Sequence, residues 1–219
     1  MLGAERRAVA RRARELAALT PGRTGNLSVR RGDRFAVTPT GVPYDRIEAE
    51  EVPVVSLAGD ETRVERGLEP SSETPMHSAV YREFDAGAIV HTHSPWASTL
   101  AVLRESIPPV HYMLALAGTT VPVADYATYG TPELAANAVA AMEDADATAC
   151  LLANHGLLVT GEDLDAALET AVNVEYTARI YCQAKALGSP VQLSGDEMDA
   201  VATKFEGYGQ GGADAEEER

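Results

Sequence analysis

The sequence predicts a single mixed α/β domain, because three observations agree on that class. Its 219 residues are enough to bury one substantial core without a second domain. Helical segments alternate with short β-branched or apolar runs along most of the chain, and no Pro-, Gly- or Ser-rich linker divides them. The hydrophobic fraction of 45% is that of an ordinary globular protein, which argues against extensive disorder.

The first half of the chain predicts two helices separated by two hairpins. Alanines, arginines and leucines give the first segment a high helix propensity, and Pro21-Gly22 ends it. Turns that contain glycine and aspartate join the strands of each hairpin. The predicted elements are a helix from Glu5 to Leu19, a hairpin of Asn26–Arg30 with Arg34–Thr38, a second hairpin of Val52–Leu57 with Thr62–Val64, and a helix from Thr74 to about Phe84.

The second half predicts strands and helices in alternation. Thr131 is the expected cap of one helix, and Gly188-Ser189-Pro190 ends the longest one. Residues 1–206 are therefore the predicted domain, and residues 207–219 are a predicted flexible acidic tail. The predicted elements are strands at Ala88–His91, Ile107–Met113, Thr119–Val123, Thr148–Ala153 and Leu157–Thr160, and helices at Pro95–Leu103, from Thr131 to about Met142, from Asp163 to Ala186, and from Ser194 to about Phe205.

Charge and composition exclude several classes of partner. The net charge of −15 argues against nucleic acid and against anionic membranes, since both require a basic face. The chain has no apolar run of membrane-spanning length and no apolar segment near its start that would serve as a secretory signal, so we expect a cytoplasmic protein. Cys150 and Cys182 lie far apart in apolar surroundings and are expected to be buried free thiols.

Three of the five histidines lie at the ends of predicted strands, and they are the chain's most informative residues. His91 and His93 occur in Ala-Ile-Val-His-Thr-His-Ser, and His155 occurs in Cys-Leu-Leu-Ala-Asn-His-Gly. Because side chains two apart on a strand face the same side, His91 and His93 point at one common centre. Three neutral imidazoles with an open fourth position form a catalytic zinc arrangement. The spacing alone leaves two interpretations open, a metal site or a chance His-x-His pair.

A second candidate site lies in three short turns that are rich in hydrogen-bond donors. Pro70-Ser71-Ser72-Glu73 precedes a predicted helix, where free N–H groups and the two serine hydroxyls can bind an anion. Thr24-Gly25-Asn26 and Thr38-Pro39-Thr40-Gly41 are turns of the same character. Together the turns predict a phosphate site that uses neutral donors. Taken alone, the first of them is more typical of a plain N-cap, in which a serine caps the helix and Glu73 lies in its first turn.

The order of these motifs resembles that of the class II aldolase/adducin family. The resemblance runs from about Gly25 to Gly209, and within the family it is greatest to the members that cleave L-fuculose 1-phosphate. In chain order the matching segments are Gly25-Asn26-Leu27-Ser28-Val29-Arg30, Thr38-Pro39-Thr40-Gly41, Pro70-Ser71-Ser72-Glu73, His91-Thr92-His93, His111-Tyr112-Met113, Tyr126-Ala127-Thr128-Tyr129-Gly130-Thr131 and Asn154-His155-Gly156.

The resemblance implies a fold, an assembly and a cofactor. The expected fold is a central, mainly antiparallel sheet flanked by helices. The expected assembly is a homotetramer whose active sites lie between neighbouring subunits, each with one Zn²⁺ and a sugar phosphate as substrate. The expected zinc ligands are His91, His93 and His155; the expected catalytic residues are Glu73, as acid/base, and Tyr112, from a neighbouring subunit; the expected phosphate ligands are Asn26, Thr40, Gly41, Ser71 and Ser72; and Tyr208 is the expected contact from the tail.

Two residues beside these motifs are less easily assigned. Where the family usually has a threonine in the first donor-rich turn, this chain has Arg23, with Thr24 one residue later. His77, four residues after Glu73, shares its helix face, and we expect it to have a structural role.

The reaction implied by the resemblance is the reversible cleavage of a ketose 1-phosphate. L-Fuculose 1-phosphate is the expected substrate, with dihydroxyacetone phosphate and L-lactaldehyde as products. Because a Lewis acid stabilises the enediolate that remains, no Schiff-base lysine is needed, and neither Lys185 nor Lys204 lies in a motif. Two alternatives stay open. One is a 4-epimerase of the ribulose 5-phosphate type, whose members carry aspartate in place of Glu73, and the other is an adducin-like binding domain without the histidines.

Overall fold

The computed structural model describes residues 2–57 and 63–206, with only the backbone described at 63–66 and 206. Within these ranges, eight strands form one sheet in the order β4-β3-β2-β1-β5-β8-β7-β6. Every neighbouring pair is antiparallel except β6 with β7. The strands are β1 Asn26–Arg31, β2 Arg34–Val37, β3 Val54–Ser56, β4 Arg63–Arg66, β5 Ala88–Thr92, β6 Val123–Ala124, β7 Ala149–Leu152 and β8 Gly156–Gly161.

Six α-helices in the described ranges cover the sheet. Two short 3-10 helices, at Tyr44–Arg46 and Tyr112–Leu116, lie in the connections. This is the predicted helix-flanked, mainly antiparallel architecture, and both predicted hairpins are present. The helices are α1 Gly3–Leu19, α2 Thr74–Glu83, α3 Pro95–Leu103, α4 Pro132–Ala145, α5 Leu164–Leu187 and α6 Gly195–Glu206.

The central strands are buried on both faces. Val90 on β5 packs in one hydrophobic cluster, which also receives α1, α3 and α5. Its neighbour Ile89 packs in a second cluster, together with α2 and α4. Because side chains alternate along a strand, β5 directs His91 to the same face as Ile89, which is the face that α2 covers. The start of α2 is thereby brought next to the end of β5.

The two strands predicted between Ile107 and Val123 are largely absent. Ile107 and Val121 form only an isolated bridge, and the backbone from Tyr112 is a 3-10 helix. Pro108, Pro109 and Pro122 flank the bridged residues, and proline has no N–H group with which to extend a ladder. The His111 side chain accepts a hydrogen bond from the backbone N–H of Met113, which favours the helical turn.

The predicted tail at 207–219, with Tyr208, lies outside the described residues. Among the residues that are described, no helix is both long and apolar enough to cross a membrane. The two cysteines are free, as predicted; Cys150 is fully buried, whereas Cys182, which was also predicted to be buried, is only partly buried on α5.

Candidate metal centre and active site

Three neighbouring strands position the histidines. His91 lies on β5, opposite Asn26 of β1 on one side and Leu158 of β8 on the other. His93 follows the end of β5, and its backbone N–H donates to the Thr20 hydroxyl at 3.0 Å. The tight connection from β7 to β8 then carries His155 to the same end of the sheet.

The three imidazoles and one carboxylate converge on a single point. Ligand atoms of Glu73, His91, His93 and His155 all lie within 4.8 Å of one another. Nε2 of His91 is 3.0 Å from Nε2 of His93 and 3.1 Å from Oε2 of Glu73. Nε2 of His155 is 3.2 Å from Oε1 of Glu73. The histidines that spacing alone left ambiguous are thus gathered together with the glutamate.

The donor set fits a divalent cation. Nδ1 of His91 lies 2.9 Å from the Leu157 carbonyl oxygen, so it carries the hydrogen and directs the lone pair of Nε2 at the cluster. With its hydrogen on Nδ1, His91 directs the lone pair of Nε2 at the Glu73 carboxylate 3.1 Å away, and the two repel each other unless a proton or a metal ion lies between them. Oε1 of Glu73 is buried without a hydrogen-bond partner, as a metal ligand would be.

Proximity also shifts the pKa values of these groups. Burial alone would raise the pKa of Glu73, but the imidazoles of His91 and His155 hold it well below its usual range. Burial opposes a charge on His91, yet the adjacent Glu73 outweighs burial and raises the pKa of His91. Burial and then the charge on the neighbouring histidines lower the pKa of His93 to about 4. The cluster therefore favours one positive charge beside Glu73, for which a proton and a metal ion compete.

Two glycines permit the close packing around the cluster. A Cβ on Gly156 would lie 2.4 Å from the Thr92 carbonyl oxygen and 3.1 Å from the His93 ring. A Cβ on Gly25 would lie 2.6 Å from the carbonyl oxygen of His91. Any larger residue would push the strand ends apart, so glycine is required at both positions.

Glu73 itself is the N-cap of α2, whereas the sequence predicted it in the first turn after a serine cap. Its side chain makes no capping bond and instead reaches the histidines. The Asn26 amide donates to Oε2 of Glu73 at 2.7 Å and so fixes the carboxylate from the β1 side. Pro75 in the first turn supplies a preset backbone angle, which explains why the helix starts here without a serine cap.

A small polar cavity of about 70 Å³ adjoins Glu73 and is built from the donor-rich turns. All five residues predicted to bind phosphate line it, although the Asn26 amide also holds Glu73 and His77. Tyr44, which the sequence analysis did not single out, secures one turn, because its hydroxyl donates to the carbonyl of Gly25 at 2.7 Å. The predicted residues that line the cavity are Asn26, Thr40, Gly41, Ser71 and Ser72.

A larger cavity of about 470 Å³ opens over the cluster. Glu73, His93 and His155 form its floor, and Tyr126 and Tyr129 contribute to its walls. A concave space of this volume beside the cluster is large enough for a small ligand.

Arg23 lines both cavities and is the only lysine or arginine among the residues that line either one. Its guanidinium donates to the carbonyl of Gly41, in the second donor-rich turn. From the sequence alone, Arg23 is only a departure from the pattern of the family that the motifs resemble. Its position directly before the Thr24-Gly25-Asn26 turn is the sequence feature that could have marked Arg23 as a residue of the site.

Tyr112 does not reach the cluster of its own chain. It is 49% exposed, and its ring lies against His111 and, at 6.4 Å between centroids, Phe205. It lines neither of the two cavities. A catalytic contribution from Tyr112 therefore requires a second copy of the chain.

The comparison with protein families identifies this arrangement. The family described as "Class II Aldolase and Adducin N-terminal domain" matches residues 5–182. The chain belongs to the class II aldolase/adducin family. This confirms the resemblance that the ordered motifs predicted.

Individual relatives of this class II aldolase cover almost the whole chain. A 5-deoxy-D-ribulose 1-phosphate aldolase from Bacillus thuringiensis serovar kurstaki is 43% identical over 195 residues, 88% of this chain and 90% of that protein. An L-fuculose phosphate aldolase from Escherichia coli K12 is 39% identical over 194 residues, 87% of this chain and 88% of that protein. The solved structure of an L-fuculose 1-phosphate aldolase has a TM-score of 0.87 at 42% identity, and the match covers 92% of this chain and 96% of that one. The chain is a metal-dependent class II aldolase, an aldehyde-lyase with three histidines and a glutamate at its metal site.

Proposed function

We propose that this class II aldolase reversibly cleaves the C3–C4 bond of a ketose 1-phosphate, with dihydroxyacetone phosphate as one product. The observation that carries the proposal is the position of Glu73, which faces three histidines on one side and a donor-lined cavity on the other. The aldehyde product is short. L-Lactaldehyde from L-fuculose 1-phosphate and acetaldehyde from 5-deoxyribulose 1-phosphate correspond to the substrates named for the two relatives.

Zn²⁺ is the proposed cofactor, held by His91, His93 and His155, with Glu73 as the fourth ligand when no substrate is bound. Imidazole nitrogens and one carboxylate oxygen are typical zinc ligands. A divalent ion at this position supplies Lewis-acid stabilisation of the negative charge that bond cleavage leaves on the dihydroxyacetone phosphate fragment.

The remaining side-chain roles concern two parts of the substrate, its phosphate and C3. Asn26, Thr40, Gly41, Ser71 and Ser72 hold the phosphate in the small cavity, next to the N-terminus of α2. Glu73, which adjoins this cavity, protonates C3 of the enediolate after cleavage and removes that proton in synthesis.

We propose a homotetramer in which Tyr112 of a neighbouring subunit completes the site. Its hydroxyl would take the C4 hydroxyl proton in cleavage and return it in synthesis. Support comes from the half-exposed ring of Tyr112 and from its absence among the residues that line the cavities over the cluster. Tyr208 is a further proposed contact from the tail.

A panel of phosphorylated ketoses tests the proposed reaction. We expect the zinc-loaded enzyme to release dihydroxyacetone phosphate, detected with a coupled reductase, from L-fuculose 1-phosphate and 5-deoxyribulose 1-phosphate. The ratio of kcat/KM for these two substrates assigns the aldehyde half. Epimerisation of ribulose 5-phosphate without release of dihydroxyacetone phosphate would contradict the proposal, as would full cleavage after complete removal of the metal.

Replacement of Arg23 with alanine is expected to raise KM for the ketose 1-phosphate about tenfold and to leave kcat within about twofold. The guanidinium is the only lysine or arginine side chain among the residues that line the two cavities, in a chain with a net charge of −15, and it lies beside the turn proposed to bind phosphate. Added salt should shrink the difference from the wild type, because screening weakens an exposed charge pair. Arg179→Ala, at an exposed position on α5, is the matched control for the change in net charge. An equal change in KM for both variants would exclude a direct contact between Arg23 and phosphate.

A further inference from the structure

A continuous chain of buried hydrogen bonds leads from Glu73 away from the histidine cluster. The Asn26 amide lies 2.7 Å from Glu73 Oε2, and its oxygen lies 2.6 Å from Nε2 of His77. Nδ1 of His77 lies 2.7 Å from the Ser28 hydroxyl, which lies 2.8 Å from the Tyr81 hydroxyl. Asn26, Ser28, His77 and Tyr81 are each at most 4% exposed. We call these four residues the Glu73 relay.

Chemistry fixes the direction of every bond in the relay. A carboxylate accepts, so Asn26 must present its amide NH₂ to Glu73 and its oxygen to His77. Nε2 of His77 therefore carries the hydrogen. Full burial favours a neutral ring, which leaves Nδ1 to accept from the Ser28 hydroxyl. The Ser28 oxygen then accepts from the Tyr81 hydroxyl, and each hydrogen in the relay points toward Glu73.

The fold places the relay by simple periodicity on two elements. Glu73, His77 and Tyr81 are spaced by four residues and share one face of α2. Asn26 and Ser28 are two apart and share one face of β1. Where α2 meets β1, side chains from the two elements alternate. They form one polar row inside an otherwise apolar layer.

We propose that His77 is a positioning residue, which through Asn26 holds the Glu73 carboxylate in the orientation that the metal site and proton transfer require. The inference rests on the function proposed above. Oε2 accepts from Asn26 and lies 3.1 Å from Nε2 of His91, while Oε1, which has no hydrogen-bond partner, lies 3.2 Å from Nε2 of His155. Without His77, the side-chain oxygen of Asn26 loses the hydrogen-bond donor that fixes the orientation of the amide. The amide can then rotate away from Glu73.

Two substitutions of His77 separate positioning from simple packing. His77→Leu fills the space without hydrogen bonds, whereas the amide of His77→Gln can donate to Asn26 and accept from Ser28. Val80→Ala, in the same helix, removes buried volume from the apolar layer and leaves the relay intact, so it is the control for lost stability. The measured quantities are Co²⁺ affinity by competition with a chelator, solvent-deuterium exchange at C3 of dihydroxyacetone phosphate, and thermal unfolding.

We expect His77→Leu to lower both Co²⁺ affinity and the exchange rate by about 10–100-fold, as is usual when a group that orients a metal ligand is removed. His77→Gln should recover most of both quantities, and Val80→Ala should change neither, although it unfolds at a lower temperature. If His77→Leu does not fold, Ser28→Ala replaces it, with a smaller loss in the same direction expected.

Values for His77→Leu or Ser28→Ala that equal those of Val80→Ala would overturn the inference. Wild-type enzyme that neither binds Co²⁺ nor catalyses the exchange would instead refute the proposed function. The two failures are therefore distinguishable in one set of measurements.

Discussion

His155→Ala is expected to release the metal and to lower kcat/KM for the ketose 1-phosphate by about 1,000-fold or more. Loss of Lewis-acid stabilisation amounts to several kcal/mol of transition-state energy, and each 1.4 kcal/mol is a factor of ten. His155 is the best ligand to remove, because its side chain is partly exposed, at 13%, and lies in a turn. His91 is fully buried within β5, so its loss would also damage the core.

Metal content per subunit and steady-state kinetics together test this expectation. His111→Ala, at a histidine outside the cluster, should retain the metal of the wild type. His155→Ala should fold with an unchanged far-ultraviolet circular dichroism spectrum. Full metal content in that variant, or activity within tenfold of the wild type, would show that the cluster is not the catalytic metal site.

Glu73→Gln is expected to lower kcat by about 100- to 10,000-fold, the usual contribution of a general acid/base. The amide has nearly the same shape and can still accept a hydrogen bond from Asn26, so the fold should survive. It cannot, however, take up the C3 proton. Dihydroxyacetone phosphate in deuterium oxide isolates that step, because exchange at C3 needs no aldehyde.

Glu73→Gln should abolish this exchange even when the metal remains bound. Tyr112→Phe is the matched control, since its proposed role concerns only the aldehyde end, and it should retain the exchange while losing cleavage. Glu73→Asp, which withdraws the carboxylate by one methylene, should lie between Gln and the wild type. Normal exchange in Glu73→Gln would assign the proton transfer to another group.

The sequence allowed the histidine cluster and the donor-rich turns beside it to be predicted because their information is local. His91 and His93 are two apart on a strand, and the serines directly precede a helix. Local patterns also predicted the helix bounds closely, since proline, glycine and capping residues mark them. The prediction of two strands between Ile107 and Val123 was wrong, because three prolines interrupt an apolar pattern that is otherwise typical of strands.

The relay and the role of Arg23 depend on contacts that spacing does not reveal. His77 shares a helix face with Glu73, which is visible in the sequence, but its partners Asn26 and Ser28 come from a strand about fifty residues earlier. Only the packing of α2 on β1 joins them. Arg23 became informative once both cavities were known to include it.

The central position of β5 has a consequence for folding. His91 faces Asn26 on one neighbouring strand and Leu158 on the other, so two pairings must be correct before the ligands meet. A slip of one residue would turn His91 and His93 to the opposite face of the sheet, away from Glu73. A metal ion binds tightly to only one register and stabilises that register by mass action. We therefore expect divalent metal present during refolding to favour the native strand pairing over its slipped alternatives.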